Sequence, residues 1–303
     1  MSRGTSMQVT REDERKSAGP SETARNTRAR AGADPHYTAQ RSAFDPVSRE
    51  ISDREFQHFQ DLIYREAGIW LSASKSSLLT GRLAKRLRHH GSKSFREYYS
   101  LVSESPEEHI QMLDAIATNE THFFREPKHF DLLRCSIAPR WAQAAAAGRR
   151  SKRIRVWSAG CSTGQEPYSL AMMLLDQFPP CTGWEIEIIA TDISTRVLEI
   201  AERGIWPAEK AAEIPREYLQ AFMLKGFGEQ TGRVKAGPEI RSLIQFSRVN
   251  LNESAYPISG RFDLIFCRNV LIYFDLRSRE QVVRRLANFL SPDGYFLLVT
   301  PKV

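Results

Sequence analysis

Beyond Gly148 the chain alternates short apolar runs of β character with stretches at helical spacing, and this alternation confines it to a parallel α/β sheet. Residues 154–157 read as a strand, 166–178 as a helix, 186–190 as a strand, 194–202 as a helix, 262–267 as a strand, 278–290 as a helix and 295–300 as a strand. The expected fold is a doubly wound, Rossmann-like α/β sheet over residues 151–303. Between about 215 and 249 Gly226, Gly228, Gly232 and Gly237 break the rhythm, which predicts a small inserted antiparallel β-subdomain.

The first half of the chain follows a different pattern. Residues 1–48 are rich in Arg, Ser, Thr, Gly and Ala without apolar periodicity, so they are expected to form a disordered tail. From Ser52 a helix carries Phe56, Phe59, Leu62 and Ile63 on one face and ends at Ala67-Gly68; a second, over 75–89, places Leu78, Leu79, Leu83 and Leu87 on one stripe. With further helices over 94–103 and 106–116, a small all-α domain is expected at 49–117 and a linker with its own helix at 118–150.

Charge is concentrated in that helical domain. The formal net charge is +7. Residues 67–96 contain seven basic side chains and no Asp or Glu, so they account for the whole excess. Lys75, Arg82, Lys85, Arg86 and Arg88 are expected on a face that docks an acidic partner, against the plainer possibility of a solvated helix face. No run approaches the ~18 apolar residues of a membrane helix, and the N-terminus lacks a signal-peptide core; a cytoplasmic protein without membrane insertion is expected. Cys135, Cys161, Cys181 and Cys267 show no paired or metal-ligand spacing, so neither disulfides nor a metal are expected.

The chemistry is expected at the carboxyl edge of the sheet, where α/β folds bind ligands. The first strand runs into Ser158-Ala159-Gly160-Cys161-Ser162-Thr163-Gly164, a glycine loop without dinucleotide spacing. Asp192 ends the next strand 28 residues after Gly164, where a carboxylate can accept from ribose hydroxyls or simply cap the following helix. A nucleoside without a pyrophosphate, such as S-adenosylmethionine, fits best, with Glu166 a candidate contact. Arg268 and Asn269 follow the strand 262–267 directly. Tyr273 is either a packed aromatic or a hydroxyl at the reacting centre, and Asn250 either an adenine contact or a satisfied loop residue. In the segment 119–125 two Phe precede Arg125, an aromatic lid whose arginine is a candidate carboxylate contact or a surface ion pair; His122 is taken as structural.

These residues together resemble a known family, the CheR methyltransferases of chemotaxis receptors. The matching blocks are N-E-T-H-F-F-R at 119–125, R-V-W-S-A-G-C-S-T-G-Q-E-P-Y-S-L at 155–170, A-T-D-I-S at 190–194, V-N-L at 249–251 and F-D-L-I-F-C-R-N-V-L-I-Y-F-D at 262–275. The resemblance implies S-adenosylmethionine as cofactor, with S-adenosylhomocysteine as its product, and contacts from Asn119, Thr121, Arg125, Glu166, Asp192, Asn250, Leu251, Arg268 and Asn269. It places Arg125 and Tyr273 near the methyl-transfer centre. It implies glutamate methyl esters on the cytoplasmic helices of methyl-accepting chemotaxis receptors, a step of sensory adaptation, made by a monomer.

The segment 226–235 is similar to the loop with which some members grip a receptor's C-terminal pentapeptide, with lysine where those carry arginine. Two departures stand out: Gln165 replaces an acidic residue common in the family, and Thr300-Pro301-Lys302-Val303 stands where members continue into a G-H-S-E-type segment. A nucleic-acid methyltransferase lacks its N/D-P-P-Y-type motif here, a nicotinamide dehydrogenase is disfavoured by the loop spacing, and a non-catalytic signalling adaptor stays open.

Overall fold

The computed structural model describes residues 50–299; the expected tail at 1–48 and the final residues 300–303 lie outside them. Ser52 opens the first helix, α1 (Asp53–Ala67). Its hydroxyl accepts from the Glu55 amide while the Glu55 carboxylate accepts from the Ser52 amide, a reciprocal cap that satisfies amides with no partner inside the helix. Gly68, at φ 68°, closes it in the left-handed conformation. Helices α2 (Ser76–His90), α3 (Phe95–Glu104) and α4 (Pro106–Ile116) follow. Phe59, Ile63, Leu79, Leu83, Leu87, Tyr98 and Met112 form their shared core, each no more than 1% exposed.

Two sequence expectations change here. Leu78 is 40% exposed rather than part of the buried stripe. Consecutive helical residues point about 100° apart, so Leu78 and Leu79 cannot both face one neighbour. Arg86, expected on the docking face, instead turns inward to pair with Glu108, which is 4% exposed and also accepts from the Tyr98 hydroxyl at 2.6 Å and stands 2.7 Å from His90 Nε2.

Helices α5 (Pro127–Leu132) and α6 (Ala138–Ala146), joined by a π turn at Leu133–Ile137, lead into the second domain. It contains β1 (Arg153–Ala159), α7 (Gln165–Gln177), β2 (Glu185–Asp192), α8 (Thr195–Arg203), β3 (Ile205–Pro207), α9 (Arg216–Phe222), β4 (Met223–Lys225), β5 (Arg233–Ala236), α10 (Pro238–Arg241), β6 (Ile244–Arg248), β7 (Phe262–Cys267), α11 (Leu276–Ala287) and β8 (Leu290–Leu298). The main sheet runs β6-β2-β1-β7-β8, parallel at every step. Both faces are covered: Ile154, Val156, Leu264 and Phe266 pack on one side, Trp157, Ala159, Ile265 and Cys267 on the other. That explains the consecutive apolar residues Val156-Trp157 in β1 and Leu264-Ile265-Phe266-Cys267 in β7, which follow no alternation.

The small antiparallel sheet has the order β3-β5-β4. It begins at Ile205, earlier than the sequence indicates, because a three-residue strand ending in Pro207 carries no readable alternation. The run at 243–247, expected inside the insertion, belongs to the main sheet: Ile244 pairs with Ile188 in parallel register. β6 is an edge strand with alternating exposure, the period of a half-solvated antiparallel strand.

Burial pushes the Glu108 carboxyl up, but hydrogen bonds from Arg86, Tyr98 and His90 outweigh it and hold it down at about 2. A carboxyl depressed in the folded state contributes stability above its unfolded value, near 4.5, and loses it as pH falls toward 2. About 3 kcal/mol is expected to vanish over that window. In urea unfolding between pH 6 and pH 3, Glu108→Gln should show a flatter dependence than the unaltered protein.

Candidate functional site

At the end of β1 the chain must turn sharply past the start of β7's loop, and Gly160 makes this possible. Its φ is 85°, and a Cβ there would collide with Val270. The amides of Gly160 and Cys161 both donate to the Thr191 carbonyl, at 2.7 and 2.9 Å, which ties the loop to the end of β2. Asp192 follows. Its Oδ2 accepts from the Ser162 amide at 2.8 Å and its Oδ1 from the Ser194 amide at 3.0 Å. Ser194, not Asp192, caps α8, so each Asp192 oxygen keeps a lone pair for a ligand. Burial pushes this carboxyl up, against the backbone amides of Ser194, Ser162 and Ile193 that pull it down.

Glu166, in the first turn of α7, accepts from Ser158 Oγ at 2.7 Å and from Arg268 Nε at 2.7 Å. Arg268 is 5% exposed. Its guanidinium lies over the rings of Phe266 and Phe130, at 4.9 and 5.3 Å, and donates to the Arg125 carbonyl. One buried ion pair therefore joins β1, α7, the β7 loop and the linker.

The linker segment is anchored on the other side as well. The Phe123 amide donates to Glu213, and the Phe124 amide to Ser169. Phe123 meets Trp206 edge-on and Phe124 stacks on Tyr218, which agrees with the inward-packed aromatic lid. Arg125, between them and the cavity, donates from Nη1 to the Glu120 carbonyl at 2.9 Å. Phe124, Glu126, Ser162 and Asn269 are the non-glycine residues with positive φ among the described residues. All four lie in the loops around this cavity, and each such conformation is unfavourable by about 1–3 kcal/mol.

These loops line an open cavity. Asn119, Thr121, Arg125, Glu166, Asp192, Asn250, Leu251, Arg268, Asn269 and Tyr273 all line it, as do Lys75 and Arg82 from the helical domain. Lys85 and Arg88 lie exposed on α2 outside it, and Arg86 is spent on Glu108. Arg82 donates to the Ile116 carbonyl and to Thr118 Oγ1, so part of its donor capacity holds the cavity wall. The Asn119 side-chain amide is buried without a hydrogen-bond partner. A buried donor left unpaired is unfavourable by about 1–3 kcal/mol, and Asn119 is one of the residues that line the cavity.

Asn250 lines the cavity and also makes loop hydrogen bonds. Its amide donates to the Glu66 carbonyl at 2.6 Å and its carbonyl accepts from the Asn252 amide. It thus docks α1 onto the second domain. Asp114 has the same effect from α4 and was not singled out from sequence: it is 3% exposed and accepts from the Thr195 amide, the Thr195 hydroxyl and the Arg196 amide. Nothing in the local pattern of α4 marks it, because its partner lies 81 residues away. The cavity is a two-domain construction.

Comparison with known proteins places this geometry. The family profile described as the CheR methyltransferase SAM-binding domain matches residues 119–299, and that of the CheR all-alpha domain matches 54–117. The chain is 38% identical over 246 residues to chemotaxis protein methyltransferase 2 of Pseudomonas aeruginosa, covering 80% of this chain and 84% of that one. It is 37% identical to the chemotaxis protein methyltransferase of Borreliella burgdorferi, covering 82% and 87%, and 39% identical to that of Escherichia coli, covering 80% and 82%.

Removing Arg268 would strand Glu166 as a buried, half-paired charge. Arg268→Ala is expected to destabilise the protein by about 3–5 kcal/mol, read as a shifted urea midpoint; a shift equivalent to less than 1 kcal/mol would mean the pair is not buried as described.

Proposed function

The chain belongs to the CheR methyltransferase family, and from that premise we propose that it transfers the methyl group of S-adenosylmethionine to glutamate side chains of chemotaxis receptors in the cytoplasm. One observation supports the cofactor above the rest: the orphaned Asn119 amide and the Asp192 carboxylate, with lone pairs to spare, line the same cavity at the carboxyl edge of β1 and β2. A carboxylate there suits ribose hydroxyls. The buried amide suits an acceptor atom of the adenosyl ligand. Thr121, Leu251 and Asn269 complete the wall, while Glu166 and Arg268 fix its shape. When bound, S-adenosylmethionine supplies a methyl group already activated on a sulfonium.

The chain's own residues then have a limited chemical task. A glutamate side chain, with an ordinary value near 4.3, is ionised and nucleophilic at neutral pH, so no general base is required. No histidine or cysteine stands among the described residues lining the cavity. Positioning is what remains, and it can contribute up to about 7–11 kcal/mol. Arg125 is the cation best placed to orient the incoming carboxylate. Tyr273, half-buried in the wall, offers a hydroxyl to the same centre. Lys75, Lys85 and Arg88 give the approach a positive potential, which suits an acidic receptor helix.

We further propose that a monomer acts, tethered by a receptor's C-terminal pentapeptide to the small sheet. Its β4 pairs with β5 on one side only, leaving an edge to which an extended peptide can add. Removing the receptor's tail is then expected to slow methylation; equal rates would exclude the tether.

Purified protein, methyl-labelled S-adenosylmethionine and receptor-containing membranes are expected to give label that mild base releases as methanol, the signature of a carboxyl ester. Arg125→Ala should lower kcat/KM at least tenfold, about 1.4 kcal/mol of transition-state stabilisation. An unchanged rate in this variant would remove Arg125 from the mechanism.

A further inference from the structure

Seven large apolar side chains are conspicuously exposed among the described residues, and four of them, Trp70, Leu78, Ile272 and Leu276, belong to segments that frame the mouth of the cavity. Leu78, 40% exposed, lines the mouth from α2. Trp70, 51% exposed, lies between the lining residues Ile69 and Leu71. Ile272 precedes and Leu276, 69% exposed, closely follows the lining pair Tyr273 and Phe274.

The two segments are stitched together. Ile69 forms a bridge with Phe274, the Trp70 amide donates to the Tyr273 carbonyl at 2.9 Å, and Tyr64, whose ring meets Trp70 edge-on, donates its hydroxyl to Asp275. Asp275 in turn caps α11, of which Leu276 is the first residue. Exposed apolar groups scattered singly need no explanation, but a concentration around one ligand mouth marks an interaction site.

Charge says what covers it. Lys75, Leu78, Arg82 and Lys85 recur at three- and four-residue spacing, so they form a single stripe on and just before α2. An apolar residue is set between cations on the side of the cavity where an acceptor must enter. A helix that matches this stripe is amphipathic, with carboxylates spaced to meet the cations and an apolar side chain about one turn from the carboxylate being modified.

We infer that Trp70, Leu78, Ile272 and Leu276 form an apolar rim that selects which glutamate of an acceptor helix enters the site, by burying the apolar residues one turn to either side of it. This rests on the function proposed above and adds the sequence context the enzyme reads. The cations attract any acidic helix; the rim sets the register.

The test uses the full chain, labelled S-adenosylmethionine and a soluble cytoplasmic fragment of a chemotaxis receptor from the same organism. Leu78→Gln and Leu276→Gln are each expected to raise the KM for the fragment about tenfold. For Leu276→Gln, kcat at saturating fragment and the calorimetric dissociation constant of S-adenosylmethionine should stay within twofold. Leu132→Gln and Ile200→Gln, at exposed apolar positions away from the mouth, should leave KM unchanged. If the unaltered chain binds S-adenosylmethionine yet labels no fragment, the proposed function fails and the rim with it. If it labels the fragment and both rim variants keep the original KM, the rim alone is overturned. A wild-type dimer that Leu276→Gln dissociates, with KM unchanged, would assign the rim to a second copy of the chain and also overturn the inference.

Discussion

The cavity depends on a buried ion pair, Glu166 with Arg268. Each partner comes from a different βα unit, and their neighbours come from two more places: Ser158 at the end of β1 and the Arg125 carbonyl in the linker. Charges taken out of water are tolerable only when geometry and further hydrogen bonds compensate for lost solvation. Here Glu166 accepts twice, and Arg268 donates twice while lying against two aromatic faces. The consequence is architectural. The pair holds the linker against the crevice between β1 and β7, where the sheet's strand order reverses, and so decides where Arg125 is presented.

A second constraint is stored in the backbone. Phe124 and Glu126 flank Arg125, Ser162 precedes α7 by three residues, and Asn269 follows Arg268, all with positive φ. Such conformations persist only where surrounding contacts over-determine them. The contacts are identifiable: Glu213 and Ser169 hold the amides around Phe124, Asp192 holds the Ser162 amide, and Arg268 is itself pinned by Glu166. Strain on both sides of Arg125 leaves that residue little freedom to drift from the cavity, which suits a site whose main task is positioning.

The fold was largely legible because its signals are local. Short, mostly apolar runs at 154–157 and 262–267 announced strands, and Ser52 and Gly68 marked the ends of the first helix by capping chemistry. The edge strand β6 was misplaced because its half-exposed alternation is shared by strands of either orientation. The site was legible where loops follow strands directly, as at Asp192, Arg268 and Asn269. It was opaque where the decisive partner is distant in sequence. The hold of Asn250 on the Glu66 carbonyl spans 184 residues; Arg86 looked like a surface cation, yet Glu108 claims it; Asp114 had no local signature. Leu78 and Leu79 are a case of degeneracy, since helical spacing alone cannot say which of two adjacent leucines faces the core.

The helical domain is more than a docking platform. Asn250 and Asn252 donate to the last carbonyls of α1, Asp114 caps α8 from α4, and Ile69 bridges to Phe274. The residues so engaged are neighbours of the candidate chemical groups: Leu251 beside Asn250, Asp192 just before α8, Tyr273 beside Phe274. The seam between the two domains therefore runs along both halves of the cavity wall. The physical logic of the design is that recognition and positioning share contacts. A reaction between an ionised carboxylate and an activated methyl group needs little besides alignment, and walls contributed by both domains and pinned from each side supply a fixed frame for it.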